Sequence, residues 1–478
     1  MIKTPSLVAV CETKTAMYPQ VPPYNPPEIF PEYPFGSSID INNQIYSLVR
    51  DLFIKLELDQ DNLGKPCWNP FGGFINPGDT VVIKPNLVVD TCYLSKIDFQ
   101  SAVTHGSVIR PIIDYTYLAL KGNGKIIVAD GPIDLTDFHD TIINNGLFQT
   151  VNYLKEEFSV PVELIDLRDE RLKKLSSLIF GTFELSVWAR ENLSGDPQGY
   201  VTVDLKEDSE FEEIADKCQY IRSTQIIHNK SEPKNHHGPG KHEYSIAKTI
   251  LDADVVINVP KLKAHKKTGN TINLKNTIGT IVPRYWMPHY MQDYDEYDDT
   301  VGIKQKIIKY LWSFFHIRSI GCILIKDISK SSKIEIGGSN PKNDTLWRSI
   351  LDVNKVLFYA DKKGTMRDTP QRKFFSIVDG IIGGEKNAPL APSPVKTGLV
   401  IGGFDPIAVD YVCTDIMGFD YKKIKVIVKA LGLRKHSLGI SKITEVTTTG
   451  EWTPAHFIPP TNWVGYIEKH KPKIPQSK

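Results

Sequence analysis

Short apolar runs, separated by polar segments or by turns with Gly and Pro, predict the strands of this 478-residue chain. The runs are rich in Val and Ile and several are apolar at consecutive positions, which is typical of strands buried on both faces of a parallel sheet. We predict strands at residues 6–11, 80–84, 125–129, 162–167, 199–203, 254–259, 374–378 and 397–401.

Longer segments with apolar residues three or four positions apart predict helices between these strands. In 40–56, for example, Ile41, Ile45 and Leu48 fall on one face. Asp405 and the proline after it favour a helix start, because Asp is a good N-cap and Pro a good first residue. We predict helices at 40–56, in the part of 101–120 after His105, and at 147–158, 244–251, 271–278, 345–360, 405–417 and 424–431.

The alternation of strands and helices predicts an α/β fold, with a mainly parallel sheet that carries helices on both faces. The chain is longer than one ordinary domain, so we predict two lobes with a ligand cleft between them, the second a smaller α/β C-terminal lobe. The predicted segments are an N-terminal lobe at 1–300 with insertions at 18–75 and 170–240, a connecting helix and strand at 301–330, the C-terminal lobe at 331–450 and a tail rich in Pro and Lys at 451–478.

Composition narrows the class of protein. The net charge of +1 gives the molecule no overall electrostatic attraction to nucleic acid, so we expect no nucleic-acid partner. The six cysteines are widely spread and form no Cys-x-x-Cys pair, which argues against an iron–sulfur or zinc module and for reduced thiols. The same cysteine pattern leads us to expect no iron–sulfur cluster. No secretory signal opens the sequence, so we expect a cytoplasmic protein.

One apolar segment, 310–325, tests the expectation that no part of the chain spans a membrane. It is shorter than the roughly 20 residues that a membrane-spanning helix needs, and it contains His316 and Arg318. We predict a core helix that leads into a strand. The alternative is a lid or an interfacial helix that contacts a membrane surface.

The most informative stretch runs from 254 to 289. A buried strand at 254–259 ends at Pro260, which has no N–H for a sheet ladder. A polar loop with Lys261, Lys263, His265 and Lys266 is expected next, and then a short helix with Gly279 just past its end. Open α/β sheets bind ligands where strands end in such loops, so we expect the functional site here.

Four residues are candidates for catalysis. Lys275 would become a base or nucleophile if it were buried in a cleft, whereas a solvated surface lysine would be inert. His265 is a candidate base, acid or metal ligand, and the alternative is a loop histidine that caps a carbonyl. His289 is a candidate second base or ligand, or a packed side chain. His105 precedes a helix N-terminus and would either meet an anion there or cap the helix.

A larger set of polar residues at predicted strand ends and loops is assigned to substrate or anion binding. Asp130 and Asp379 would bind a ligand hydroxyl or a metal, or simply turn the chain. Gly383 and Gly384 would offer backbone N–H groups to an anion, or form an ordinary loop. The remaining candidates are Lys84, Asn86, Lys261, Lys263, Asn276 and Arg284. His236, His237 and His242 lack a fixed ligand spacing and are predicted to form a flexible polar loop.

Seven sequence blocks between residues 79 and 420 together resemble a bacterial and archaeal family known as domain of unknown function 362 (DUF 362). The most specific combination is Pro-Lys-Leu-Lys followed by Leu-Lys-Asn. The cysteine-rich cluster segment of some members is absent here. The blocks are 82–87 (Val-Ile-Lys-Pro-Asn-Leu), 104–105 (Thr-His), 127–131 (Ile-Val-Ala-Asp-Gly), 256–265 (Val-Ile-Asn-Val-Pro-Lys-Leu-Lys-Ala-His), 274–279 (Leu-Lys-Asn-Thr-Ile-Gly), 376–380 (Ser-Ile-Val-Asp-Gly) and 403–410 (Gly-Phe-Asp-Pro-Ile-Ala-Val-Asp).

A second resemblance concerns His265, Lys275 and His289. Their order and spacing are similar to the cofactor loop of nickel-pincer lactate racemases, in which a histidine, a lysine linked covalently to the cofactor and a further histidine follow one another. Thr104 and His105 are similar to the region of an earlier catalytic histidine in those enzymes. The resemblance implies a transition metal held by His265 or His289, or a cofactor linked to Lys275, although the glycine pattern after His265 differs.

The sequence therefore predicts an enzyme that acts on a small anionic substrate, such as a hydroxy acid, a sugar acid or a phosphorylated intermediate. Proton or hydride transfer, as in a racemase, an epimerase or an oxidoreductase, is the expected chemistry. One alternative is a binding protein for an anionic or polysaccharide-precursor ligand. Another is a membrane-peripheral assembly protein that uses 310–325. The sequence leaves the substrate, the cofactor and the oligomeric state open.

Overall fold

A computed structural model of the chain describes residues 6–91, 94–180, 183–224, 230–292, 294–295, 321–327 and 340–469. The strands of these residues are β1 (Leu7–Glu12), β2 (Thr80–Pro85), β3 (Lys125–Asp130), β4 (Val162–Asp166), β5 (Glu170–Phe180), β6 (Phe183–Asn192), β7 (Tyr200–Asp204), β8 (Ile221–Arg222), β9 (His237–Gly238), β10 (Lys241–Ala247), β11 (Val255–Val259), β12 (Lys261–His265), β13 (Gly269–Thr271), β14 (Tyr290–Met291), β15 (Gly321–Asp327), β16 (Lys373–Glu385), β17 (Ser393–Gly403) and β18 (Thr447–Thr449).

The α-helices lie mainly between these strands, as the sequence pattern predicts. They are α1 (Gln44–Lys55), α2 (Lys96–Ala102), α3 (Gly106–Leu120), α4 (Phe138–Asn144), α5 (Leu147–Phe158), α6 (Lys248–Asp252), α7 (Asn273–Asn276), α8 (Leu346–Tyr359), α9 (Pro406–Ile416) and α10 (Lys425–Leu431). Across the described parts of the chain, none of these helices has the length and apolar character needed to cross a membrane.

A ten-stranded sheet forms the centre of the molecule, with the main strand order β18-β1-β17-β16-β11-β2-β3-β4. The strands from β16 to β4 in this order run parallel to one another. β17 is antiparallel to both of its neighbours. The predicted α/β fold with a mainly parallel sheet is therefore confirmed.

Both faces of the sheet are covered. Val81 and Ile83 of β2 belong to a hydrophobic core with α1, α3 and α5, whereas Val82 belongs to a second core with α6, α8, α9 and α10. Successive side chains of a strand point to opposite faces, so a strand buried on both sides must be apolar at every position. This is why the strands appear in the sequence as unbroken apolar runs.

The two-lobe arrangement is not confirmed. Phe374 to Ser376 in β16 pair in parallel with Val256 to Asn258 in β11, so strands from both halves of the chain belong to one sheet. The domain boundaries stay a prediction. The helical part of 310–325 lies outside the described residues, and its last five residues lie in β15, which pairs with β6.

Two predictions between residues 244 and 265 differ from the structure. The first half of 244–251 is the end of strand β10, paired with β7, and only its last four residues lie in helix α6. The expected polar loop after Pro260 is instead strand β12, which pairs with β13 and with β16. In both cases a partner strand supplies the backbone hydrogen bonds, and local sequence does not report such a partner.

Candidate functional site

A cavity of about 170 Å³ lies at the carboxyl ends of β2 and β3, beside β12 and α7. Parallel strands bring their carboxyl ends to one edge of a sheet, which is where α/β proteins bind ligands. Leu346, Pro389 and Leu390 close the cavity from the C-terminal part of the chain. Nine of the candidate residues line it: Lys84, Asn86, Asp130, Lys263, His265, Lys275, Asn276, Arg284 and His289.

The first cationic group of the cavity, Lys84, is already paired. Its Nζ donates to Oδ1 of Asp130 at 2.7 Å and to the carbonyl oxygen of Pro85 at 3.0 Å. Asp130 also accepts the backbone N–H groups of Leu87 and Gly131. Burial lowers the pKa of Lys84, and the carboxylate opposes that effect. This pair shapes the cavity wall, and Asp130 has little capacity left to hold a metal.

Gly279 permits the close approach of this pair. A Cβ at residue 279 would lie 2.2 Å from Oδ1 of Asp130 and 3.0 Å from Nζ of Lys84. The sequence predicted a glycine just past a helix end, but Gly279 lies inside a 3-10 turn, Thr277–Thr280. The position excludes a side chain for a steric reason, and not because of a left-handed backbone.

A chain of side-chain amides holds Lys263. Its Nζ donates to Oδ1 of Asn86 at 3.0 Å and to the carbonyl oxygen of Ala102 at 2.6 Å. Asn86 in turn donates to Asn276, which donates to Oδ1 of Asn258 at 2.7 Å. Burial and neighbouring lysines lower the pKa of Lys263 well below its ordinary value. These residues connect β2, β11, β12 and α7 at the cavity wall.

Lys275 differs from Lys84 and Lys263 because no residue among those described forms a hydrogen bond or ion pair with its ammonium group. It projects from α7, whose first N–H groups, of Asn273 and Leu274, are accepted by the carboxylate of Asp410 at 2.8 and 3.2 Å. Burial, with the nearby charges of Arg284 and Lys84, lowers the pKa of Lys275 from 10.5 to about 7. A fixed backbone thus presents an amine that is partly unprotonated near neutral pH.

His265 is held by its own loop. Its Nδ1 accepts the backbone N–H of Lys267 at 3.0 Å and that of Thr268 at 3.2 Å. A neutral imidazole that accepts at Nδ1 must carry its proton on Nε2. Burial and the positive charges of Lys275 and Lys263 lower the pKa of His265 well below 6.5, so the ring is neutral. His265 is therefore a hydrogen-bond donor to the cavity, and its expected role as a base is not favoured.

His289 has the opposite arrangement. Its Nδ1 lies 3.1 Å from the carbonyl oxygen of Met287, which can only accept, so Nδ1 carries the proton. The lone pair of Nε2 is then available to the cavity. Burial and the charge of Lys275 lower the pKa of His289 well below 6.5, so this lone pair is free near neutral pH. His289 is the better placed proton acceptor of the two histidines.

Arg284 adds a positive charge to the same cavity. One of its guanidinium nitrogens donates to the carbonyl oxygen of Gly131, which places the group beside β3. Burial lowers its pKa, and the carboxylates of Asp134 and Asp130 oppose this effect. A guanidinium has five N–H donors, so donors remain for a carboxylate or phosphate ligand.

Three candidates lie outside the cavity, in a second polar cluster with Tyr18. The Lys261 ammonium pairs with Asp379 at 3.0 Å, and the Tyr18 hydroxyl donates to the same carboxylate at 2.7 Å. The backbone N–H of His105 donates to Asp379, and the His105 ring stacks on Tyr18 and caps α3 through Ser107. Neither a catalytic role for His105 nor anion binding by Lys261 and Asp379 is favoured by this placement.

The two glycines expected in an anion-binding loop lie within strand β16. A Cβ at Gly383 would lie 2.5 Å from the ring of Phe457, and one at Gly384 would lie 2.6 Å from the carbonyl oxygen of Ser101. Close packing explains both glycines, because β16 continues to Glu385 and its backbone groups pair with β17.

The histidine-rich segment is not the flexible polar loop expected from the sequence. His237 and His242 are buried in the hairpin of β9 and β10, with their Nδ1 atoms 3.4 Å apart, and His236 stacks on Trp286. Throughout the described ranges, no group of three or more His, Cys, Asp or Glu side chains is placed to hold a metal ion.

The resemblance to nickel-pincer lactate racemases implies a metal at His265 or His289, or a cofactor linked to Lys275. His289 presents a free lone pair, but His265 presents an N–H, so the observed rings do not fit a metal held by both histidines. The free amine of Lys275 fits covalent attachment to a cofactor, and that attachment stays a prediction.

Sequence reasoning missed the residues that support Lys275. Asp410 lies in the block 403–410, where the sequence predicted a role only for Asp405, as a helix cap. Asn354 of α8 donates to the carbonyl oxygen of Leu274 and so fixes the other side of α7. A buried acid or amide within an apolar helix was the available signal, since such groups require a partner.

Comparisons with known proteins agree with the first resemblance. The model of the family described as "Domain of unknown function (DUF362)" matches residues 187–415. The thylakoid-associated protein sll1697 of Synechocystis sp. is 25% identical over 175 residues, which is 37% of this chain and 36% of that relative. The chain thus matches about a third of the relative's length. No solved structure matches the chain. Residues 187–415, which contain the cavity residues from Lys263 to His289, belong to the family described as domain of unknown function (DUF362).

Proposed function

We propose that the cavity is the active site of an enzyme that binds a small anionic substrate and transfers a proton at one of its carbon atoms, in the manner of a racemase or epimerase. The substrate would be a hydroxy acid, a sugar acid or a phosphorylated intermediate. The observation that carries this proposal is Lys275, a cavity-lining amine without a partner among the described residues and with a pKa of about 7.

The size and charge of the cavity support a small anion. Its volume of about 170 Å³ is below the range of roughly 300–1,000 Å³ that is usual for drug-sized ligands. Lys275 and Arg284 both face it, while the carboxylate of Asp130 is already paired with Lys84. A bound anion would therefore meet the ammonium of Lys275, which has no carboxylate partner among the described residues, and the remaining donors of Arg284.

The arrangement of donors and acceptors supports proton transfer. His289 offers a lone pair on Nε2, and Lys275 offers a partly unprotonated amine, so either can accept a proton from a substrate carbon. His265 offers an N–H that can stabilise a developing oxyanion. The expected pair of bases is therefore revised from two histidines to Lys275 and His289.

The test is hydrogen–deuterium exchange in heavy water. The protein would be incubated with a panel of 2-hydroxy acids, sugar acids, sugar phosphates and 2-oxo acids, and the loss of each C–H signal would be followed by proton NMR. We expect exchange with one class of compound, lost in Lys275→Met and in His289→Asn. Compounds that raise the melting temperature without any exchange would instead favour a non-catalytic binding protein.

A second candidate function is association with a membrane surface. The relative from Synechocystis is named as thylakoid-associated, and the segment 17–41 of this chain exposes five apolar side chains. These are Met17, Val21, Ile29, Ile39 and Ile41. Co-sedimentation with vesicles of neutral and of anionic lipid would test it, with Val21→Ser and Ile41→Ser together as the variant. Equal recovery of both proteins in the supernatant would contradict this candidate.

A further inference from the structure

We propose that Lys275 is a covalent nucleophile that forms an imine with the carbonyl carbon of a small 2-oxo acid. This inference rests on the proposed function, because it assigns a substrate class and a chemical step to the same cavity. Lys275 is one of several lysines that line the cavity, and Lys84 and Lys263 are two of the others.

Hydrogen bonding distinguishes Lys275 from Lys84 and Lys263. The Lys84 ammonium is held by Asp130 and Pro85, and the Lys263 ammonium is held by Asn86 and Ala102. An ammonium that donates to a carboxylate has no lone pair for attack, and the oxygens of Asn86 and Ala102 hold Nζ of Lys263 in place. Among the described residues nothing accepts from Nζ of Lys275, although this side chain lines the cavity. Its amine can lose a proton without breaking an interaction.

The backbone of Lys275 is fixed on both sides, which a nucleophile requires for a defined angle of attack. The carboxylate of Asp410 accepts the first N–H groups of α7. The amide of Asn354 donates to the carbonyl oxygen of Leu274 at 2.8 Å and to the hydroxyl of Thr277 at 3.0 Å. Two separate segments, α8 and α9, thus hold a helix of only four residues by polar contacts.

The surrounding charges suit the chemistry of imine formation. Burial, with the nearby charges of Arg284 and Lys84, lowers the pKa of Lys275 to about 7, so a large fraction of the amine is unprotonated at neutral pH. The same cations favour the carboxylate of a 2-oxo acid. The N–H on Nε2 of His265 is available for the carbonyl oxygen, which becomes negative as the amine attacks.

The step balances without an oxidant or reductant. The lone pair of Nζ forms a bond to the carbonyl carbon, and the electron pair of the C=O bond moves to oxygen, giving a carbinolamine. Nζ gives one of its two protons to the oxygen and keeps the other. A further proton from solvent lets the oxygen leave as water, so a protonated C=N bond remains. The protonated imine then draws electrons from the neighbouring carbon, so Nε2 of His289 can accept a proton from that carbon.

Borohydride trapping tests the proposal with pyruvate and glyoxylate as the probes. Each would be incubated with the full chain and sodium cyanoborohydride, followed by intact mass and peptide mapping. We expect one reduced adduct per chain, on the peptide that contains Lys275, with its yield rising through about pH 7, as an amine with that pKa requires. Surface lysines, with pKa values near 10.4, would react mainly at higher pH.

Two matched variants complete the test. Lys275→Arg keeps the positive charge but has no nucleophilic amine, so the adduct should disappear while circular dichroism confirms the fold. Lys155→Arg changes an exposed lysine of α5 and should leave the adduct unchanged. If pyruvate raises the melting temperature but no adduct forms at Lys275, imine formation is overturned and anion binding stands. If no anion of the panel binds or exchanges, the proposed function fails as well.

Discussion

His265 and His289 line the same cavity with opposite hydrogen-bond polarity. Nδ1 of His265 accepts a backbone N–H at 3.0 Å, and Nδ1 of His289 donates to a backbone carbonyl oxygen at 3.1 Å. Because a neutral imidazole has one proton, the cavity receives an N–H from His265 and a lone pair from His289. The backbone thus assigns different chemistry to two side chains that the sequence cannot distinguish.

This difference predicts different kinetic effects for the same substitution. His289→Asn keeps an N–H for the carbonyl of Met287 but has no atom at the position of Nε2. We expect kcat to fall roughly 10²- to 10⁴-fold, the usual effect of losing a general base, with little change in ligand affinity.

His265→Asn keeps an acceptor for the two loop N–H groups and removes the donor. It should weaken anion binding by about 1.5–3 kcal/mol, the usual contribution of a hydrogen bond to a charged group. Steady-state kinetics and calorimetric titration of both variants would check the pair. Equal losses of kcat in both, without a change in affinity, would contradict the assigned polarities.

Lys275→Met should stabilise the free protein near neutral pH while abolishing its function. The pKa of Lys275 is lowered from 10.5 to about 7, so between these two pH values the unfolded chain holds a proton that the folded protein lacks. Stability therefore rises with pH across this window, and the penalty for burying the charge is fully present below about pH 7.

The difference in melting temperature between Lys275→Met and wild type should thus be largest at pH 6 to 7 and should shrink toward pH 10. Differential scanning fluorimetry in a pH series measures it. A variant that is less stable than the wild type at every pH would mean that Lys275 has a packing role.

Asp410→Ala should impair both folding and the function of Lys275. Removing the carboxylate leaves the N–H groups of Asn273 and Leu274 without their acceptor, which costs about 1–3 kcal/mol of unfolding free energy. Asp405→Ala is the matched control, because the carboxylate of Asp405 accepts the N–H groups of Ile407, Ala408 and Ile440, none of which lies in α7. Denaturant unfolding should show a loss in both variants, whereas the yield of the borohydride adduct should fall only in Asp410→Ala.

Gly279→Ala should disrupt the buried pair of Lys84 and Asp130. A methyl group there would lie 2.2 Å from Oδ1 of Asp130, so the backbone or the carboxylate must move. We expect a loss of about 1–3 kcal/mol, as for overpacking elsewhere, together with weaker ligand binding. Gly73→Ala meets nothing within 4 Å and should change stability by less than about 0.5 kcal/mol. Similar unfolding curves for both variants would contradict this account.

Lys261→Met should separate structure from function. Lys261 and Asp379 are a fully buried ion pair outside the cavity, and loss of one partner leaves the other charge uncompensated. A destabilisation of about 3–5 kcal/mol is typical for such a change. Ligand affinity and adduct formation at Lys275 should be retained in the folded fraction, measured at low temperature. A selective loss of binding would assign Lys261 to the site after all.

Several features of this protein could be predicted from sequence because they are local. Hydrophobic periodicity predicted α5 and α8 closely, since the core-facing stripe of a helix repeats along its own sequence. It placed the start of α1 four residues too early, because Ile41 is exposed and precedes the helix. The stretch from 254 to 289 could be singled out for the same reason: a strand, its polar exit and a short helix follow one another directly.

The remaining features depend on contacts between distant parts of the chain. Pairing of β16 with β11 joined the two expected lobes into one sheet, and pairing of β12 with β16 turned a polar loop into a strand. His105 likewise lies outside the cavity, where its N–H donates to Asp379, which is 274 residues away in the chain.

The sequence by itself determined the α/β class, most strands of the central sheet, most helices, and the region of the candidate site, because each follows from short-range patterns of apolar and polar residues. Only the tertiary structure decided which cations are paired, which histidine nitrogen carries a proton, and that Lys275 has no partner among the described residues. Those properties depend on the few atoms within hydrogen-bond reach of each group, and they come from strands and helices that are far apart in the chain.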